Sequence, residues 1–159
     1  MSDQSFPSEN STDTTQRASS HTNIQGEIPT GTTILVVEDN VSNFVLIARM
    51  LGYMGIHCEW KTSGYEVVEY ADTLPRLDLI LMDIRLPYED GYGALRKIRS
   101  STTLKETLVI AVTAEASVAQ INKAKESGFD GFIGKPLDPD RFPDQIRRIL
   151  LGDQVWEIG

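Results

Sequence analysis

Apolar residues in this chain come in short unbroken runs, and between the runs they recur at three- and four-residue intervals. Thr32 to Val37 (TTILVV) is the first run, β-branched and apolar, and it ends in Glu38, Asp39 and Asn40. Phe44, Ile47, Ala48 and Leu51 follow at helical spacing. Asn40 or Ser42 is placed to cap that helix, and Gly52 or Gly55 to end it. His57 to Lys61 (HCEWK) predicts a short second strand, and Gly64 to Ala71 a helix with Val67, Val68 and Ala71 on one face. The third run, Leu77 to Met82, stops at Asp83, and Pro87 and Gly91 then turn the chain. Gly91 to Ser100 predicts a helix with Leu95 and Ile98 inward. Leu108 to Val112 is the fourth strand and leads into Thr113, Ala114 and Glu115. Ser117 to Ser127 predicts a helix closed by Gly128, and Gly131 to Ile133 a fifth strand followed by Gly134, Lys135 and Pro136. The last helix runs to about Leu151. Pro143 deep inside it would delete a hydrogen bond, so a loose turn is expected first and regular helix from about Pro143.

Short, continuously apolar runs suit strands buried on both faces. Five strands alternating with helices imply βαβ units with right-handed crossovers. The expected class is α/β, a doubly wound parallel sheet with helices on both faces.

The 159 residues exceed what one such domain needs. Residues 1–31 are rich in Ser, Thr, Asn and Gln, and their few apolar residues (Phe6, Ala18, Ile24, Ile28) show no period. That segment is expected to be a disordered N-terminal tail. Residues 32–152 form the domain, and 153–159 a short C-terminal extension. Val155, Trp156 and Ile158 of the extension are expected to pack back on the domain. A net charge of −8 argues against a nucleic-acid binder, which needs a basic stripe. No run reaches membrane-spanning length, and no secretory signal is visible. One cysteine, Cys58, fits a reducing compartment and reads as a small apolar residue; the expected location is cytoplasmic.

The strand ends carry the chemistry. Asp83 alone reads equally as a pocket carboxylate or as a turn cap. The other strand ends decide between them, because Glu38 and Asp39, Thr113 and Lys135 all fall on the carboxyl edge of the sheet, where open α/β folds bind ligands. Three carboxylates in one pocket repel, and a hard divalent cation relieves this. Counting Mg²⁺ and the Lys135 ammonium, the site is neutral before an anion arrives. Glu38 and Asp39 suit metal ligation, directly or through water. Asp83, on the central strand, suits nucleophilic attack on phosphorus. Thr113 can donate to one phosphoryl oxygen and Lys135 can pair with another.

These blocks resemble the receiver domain of response regulators from two-component signalling. The resemblance lies in LVVEDN, LILMDIRLPYEDG, VTA and FIGKP, and covers about residues 33–151. It implies a flavodoxin-like fold of strand order 2-1-3-4-5. It implies Mg²⁺-dependent phosphoryl transfer from a histidine kinase or histidine phosphotransfer protein to Asp83. A further metal ligand, the backbone carbonyl of Arg85, and a cis peptide before Pro136 come with it. So does a switch in which the Thr113 hydroxyl moves inward and Phe132 follows, repacking the face of helix 4, strand 5 and helix 5. That face is the expected contact for a downstream protein target or a homodimer.

Arg85 and Glu115 sit two residues after Asp83 and Thr113 and carry opposite charges, so pairing across the site mouth would tune phosphate loss. His21 and His57 lack the context of a phosphodonor. No output domain, and so no DNA-binding domain, is expected after Leu151. The chain therefore reads as a stand-alone phosphoacceptor rather than a turnover enzyme. One alternative is a degenerate receiver that binds partners without phosphorylation. Another is an aspartyl-nucleophile phosphatase, disfavoured because Arg85 stands where its second acid would be.

Overall fold

The computed structural model describes residues 27–158. The expected leader therefore lies outside the described residues up to position 26. Of the rest, Ile28 packs partly buried against the core.

The chain alternates β1 (Thr33–Val37), α1 (Val41–Tyr53), β2 (His57–Lys61), α2 (Val67–Asp72), β3 (Leu79–Met82), α3 (Gly91–Ser100), β4 (Leu108–Thr113), α4 (Val118–Ser127), β5 (Gly131–Gly134) and α5 (Phe142–Leu150), and closes with β6 (Trp156–Glu157). All pairings are parallel, in the order β2-β1-β3-β4-β5-β6. The sheet thus has six strands where the sequence predicts five. The added one is the C-terminal extension, in which Val155 and Trp156 pack back on the domain as expected while Ile158 stays exposed. Two residues are too few for a periodic signal, and β6 forms only because β5 offers an open edge.

Alternation along each strand splits the core into two layers. Leu35, Val37, Ile80 and Met82 face the layer shared with Val67, Leu95, Ile98 and Ala124. Ile34, Val36, Leu79 and Leu81 face the layer shared with Ile47, Leu51, Phe142 and Ile146. Burying each such aliphatic side chain contributes about 1.5–3 kcal/mol.

Local chemistry sets the helix ends. Asn40, Asp90 and Ser117 accept from the backbone N–H three residues on, at 2.9, 2.9 and 3.1 Å. Gly128 closes α4 at φ +106°, a left-handed conformation that a side chain would strain. Helix α2 begins at Val67 rather than Gly64, because Glu66 adopts a left-handed φ of 64°. Pro143 falls in the first turn of α5, where no hydrogen bond is lost.

Glu157 ties β6 to α5, accepting from Gln145 at 2.6 Å, Arg141 at 2.9 Å and Arg148 at 3.2 Å. The Gln145 hydrogen bond, with Arg148 and Arg141 behind it, outweighs burial and holds the Glu157 carboxyl below the ordinary glutamate value. A lowered folded pKa stabilises above the unfolded value, about 4.3, and that contribution is lost as pH falls through the folded one. Acid titration should therefore release β6 below about pH 4.3. The Trp156 indole N–H resonance checks this, and in Glu157→Gln it should lose the acid step.

Candidate functional site

Backbone hydrogen bonds of the sheet set the site residues side by side. The Asp83 N–H donates to the Val37 carbonyl at 3.0 Å, Glu38 to Lys61 at 3.0 Å, and Lys135 to Thr113 at 2.9 Å. Each strand thus hands its terminal residue to one edge. Gly91 closes the β3–α3 loop behind Asp83, where a Cβ would stand 2.6 Å from the Asp83 carbonyl oxygen. Only glycine fits there.

Glu38, Asp39 and Asp83 each bring a carboxylate oxygen within 4.8 Å of the others. Glu38 is 2% exposed, and its oxygens accept from Lys135 Nζ at 2.6 Å and from the Asn40 N–H at 3.0 Å. Asp83 is buried; its Oδ2 accepts from Lys135 Nζ at 2.9 Å and its Oδ1 from the Arg85 N–H at 3.0 Å. Asp39 is exposed. Burial pulls the Lys135 ammonium down, but the hydrogen bonds and charges of Glu38 and Asp83 outweigh it, so its net direction is up. Lys135 is therefore a fixed cation at neutral pH.

Three carboxylates against one ammonium leave an excess of two negative charges in a half-enclosed cleft. That oxygen donor set fits Mg²⁺, which binds through one or two carboxylates plus water. Asp39 retains the most free lone pairs for it, while each oxygen of Glu38 and of Asp83 already accepts one protein donor.

Thr113 is buried at the end of β4. Among the described residues its Oγ1 receives only a long contact, 3.5 Å, from the Glu115 N–H. Phe132 is fully buried on the adjacent strand. The Lys135–Pro136 peptide is cis. Arg85 and Glu115 form an ion pair across the mouth. They border an open cleft of about 570 Å³ that Asp39, Leu86, Tyr92 and Lys123 also line.

Two neighbours escaped the sequence reading. The Trp60 indole N–H donates to the Glu38 carbonyl at 2.8 Å, and the ring stacks on Phe44 at 4.0 Å. The register Val36↔Trp60 puts Trp60 two residues short of the level of Glu38, and only strand pairing reveals it. The Tyr92 hydroxyl is buried without a hydrogen-bond partner among the described residues. Burial first, then Asp90 and Glu115, push its pKa up. Cys58 stays a thiol, pushed up to about 11 by burial and then by Glu59. Among the described residues no helix is long and apolar enough to cross a membrane.

Comparison with known proteins is consistent across sequence and structure. The family model for the response regulator receiver domain matches residues 34–147. The polar-differentiation response regulator DivK of Brucella anthropi is 32% identical over 120 residues, covering 76% of this chain and 96% of DivK. The signal transduction histidine-protein kinase BarA of Escherichia coli is 37% identical over 123 residues, 77% of this chain but only 13% of BarA. The chain thus spans a small part of the kinases it matches. Among solved structures, the receiver domain of sensor histidine kinase PA1611 from Pseudomonas aeruginosa superposes with a TM-score of 0.68 at 33% identity, covering 77% of this chain and 99% of that one. That structure has a magnesium ion coordinated in its active site cleft. The chemotaxis response regulator CheY4 of Vibrio cholerae gives a TM-score of 0.70 at 25% identity, covering 76% and 99%.

Proposed function

This chain belongs to the response regulator receiver domain family, and on that premise we propose that it is a phosphorylation-controlled switch whose acceptor is Asp83. The observation that carries the reading is Lys135 Nζ lying between the Glu38 and Asp83 carboxylates, at 2.6 and 2.9 Å. An ammonium so placed orients the acceptor and is ready to pair with an arriving phosphoryl oxygen.

The chain's own groups account for the transfer. An Asp83 carboxylate oxygen attacks phosphorus and forms a P–O bond. The P–N bond to the donor histidine breaks, and its electron pair returns to the imidazole. Lys135 moves its contact to a phosphoryl oxygen, and the Thr113 hydroxyl donates to another. Asp39, Asp83 and the Arg85 carbonyl, with Glu38 directly or through water, would hold Mg²⁺, which would neutralise charge on the transferring group. The Thr113 shift then frees room beside it for Phe132. The donor is a histidine kinase or phosphotransfer protein, and the product either passes its phosphate onward or acts by protein contact in the cytoplasm. Each cycle modifies the protein itself, so it is a switch rather than a turnover enzyme. Label from radioactive acetyl phosphate should become bound and be released by hydroxylamine, as an acyl phosphate is. Stable label would contradict the reading.

The Arg85–Glu115 pair sits where water must approach. Arg85 is 72% exposed, so the pair contributes at most about 1 kcal/mol. Arg85→Ala should shorten the phosphorylated lifetime by up to about fivefold, measured by loss of label with time. A lifetime equal to wild type would remove the pair from the account.

A further inference from the structure

The extension beyond α5 is built into the surface that the switch repacks. In β6, Trp156 stands opposite Phe132 and Glu157 opposite Ile133. The Phe132 N–H donates to the Val155 carbonyl at 2.8 Å, and Val155 is 1% exposed. Trp156 packs against the same core layer as Phe132, with Lys125 Nζ of α4 standing 5.0 Å from its ring centroid. Glu157 reaches the other way, to Arg141, Gln145 and Arg148 around α5. β5 carries Gly131 where the segment crosses; a Cβ there would stand 2.7 Å from the Val155 oxygen. One short strand is therefore gripped by α4, β5 and α5 together, and it fills the edge of β5 between the two helices.

We infer that residues 153–158 are a displaceable strap that occupies the α4–β5–α5 face in the unphosphorylated protein and is released when Asp83 is phosphorylated. The inference rests on the proposed role of Asp83. The strap's template is the backbone of Phe132, the residue whose side chain the switch moves. Only two residues are paired, so the strap sits at the low-stability end of the fold and yields before the sheet does. While it is docked, neither a partner nor a second copy of the chain can use the β5 edge. The coupling is reciprocal: loosening the strap must favour the phosphorylated state by the same factor that phosphorylation loosens the strap.

The Phe132 amide reports strap docking directly, and its hydrogen exchange can be followed by NMR in the full chain. Beryllofluoride with Mg²⁺ serves as the phosphoryl mimic, and its binding is read independently by fluorine NMR. Protection of the Phe132 amide should fall about tenfold or more on binding, while the Asp83 amide keeps its protection. In the unmodified protein, Glu157→Arg should lower that protection in the same way and bind beryllofluoride more tightly. Glu157→Gln should fall between, and Arg148→Glu added to Glu157→Arg should restore docking. Bound beryllofluoride with unchanged or greater Phe132 protection overturns the strap alone. Unchanged beryllofluoride affinity in a Glu157 variant whose strap is loose also overturns it. No bound beryllofluoride overturns the role of Asp83, and the strap with it.

Discussion

Replacing Lys135 by Met should lower the stability of the metal-free protein by about 3–5 kcal/mol, because removing one partner of a buried ion pair leaves the other charge uncompensated. Glu38 is the residue left behind. It is 2% exposed and loses its 2.6 Å cation, keeping only the Asn40 N–H as a side-chain partner among the described residues. Asp83 loses its cation in the same step. Mg²⁺ stabilises either protein by about 2.7 kcal/mol at a hundredfold excess over its Kd. It should offset part of the loss because the variant's carboxylates, no longer neutralised by Lys135, bind it more tightly than those of wild type. Urea denaturation with EDTA and then with Mg²⁺ separates the two states. The alkaline limb gives a second signature. The folded Lys135 value is raised, so its stabilisation is full below the unfolded value of about 10.4 and is lost as pH rises through the folded one. Lys135→Met should lack that alkaline loss. A metal-free cost below about 1 kcal/mol would mean that the ammonium is not what holds the carboxylates together.

Asp39→Asn should move stability and function in opposite directions. Asp39 is exposed, makes no ion pair among the described residues, and holds an oxygen within 4.8 Å of two other carboxylates. Removing its charge should raise metal-free stability by on the order of 1 kcal/mol, the Coulomb repulsion at that distance near water's dielectric constant. Mg²⁺ affinity should fall by at least roughly 10- to 100-fold, and phosphoryl uptake with it. Calorimetric titration of Mg²⁺ and a urea midpoint measured without metal test both halves. A variant that binds Mg²⁺ as tightly as wild type would leave Asp39 out of the site. The opposed signs are what a functional site predicts, since mutual repulsion is retained there for binding.

The alternation of strands and helices was legible because β1, β3 and β4 are dense apolar runs and α1, α3 and α4 carry side-chain caps at Asn40, Asp90 and Ser117. The site was legible because its members sit at successive strand ends, so topology alone brings Asp39, Asp83, Thr113 and Lys135 to one edge. The features that escaped depend on tertiary contact. Trp60 meets Glu38 only through the β1–β2 register. β6 exists only beside β5. Glu66 leaves helical geometry although its neighbours have helical spacing. The Arg85–Glu115 pairing across the mouth was expected from position and sign, with two solvated side chains as the alternative, and the structure shows the pair formed.

Intact mass after incubation with Mg²⁺ and acetyl phosphate, on wild type and Asp83→Asn, tests the central claim most directly. The account predicts a gain of one phosphoryl group in the wild type alone, lost on standing and absent when EDTA replaces Mg²⁺. A gain of equal size in Asp83→Asn, or none in a wild type shown by titration to bind Mg²⁺, would contradict it.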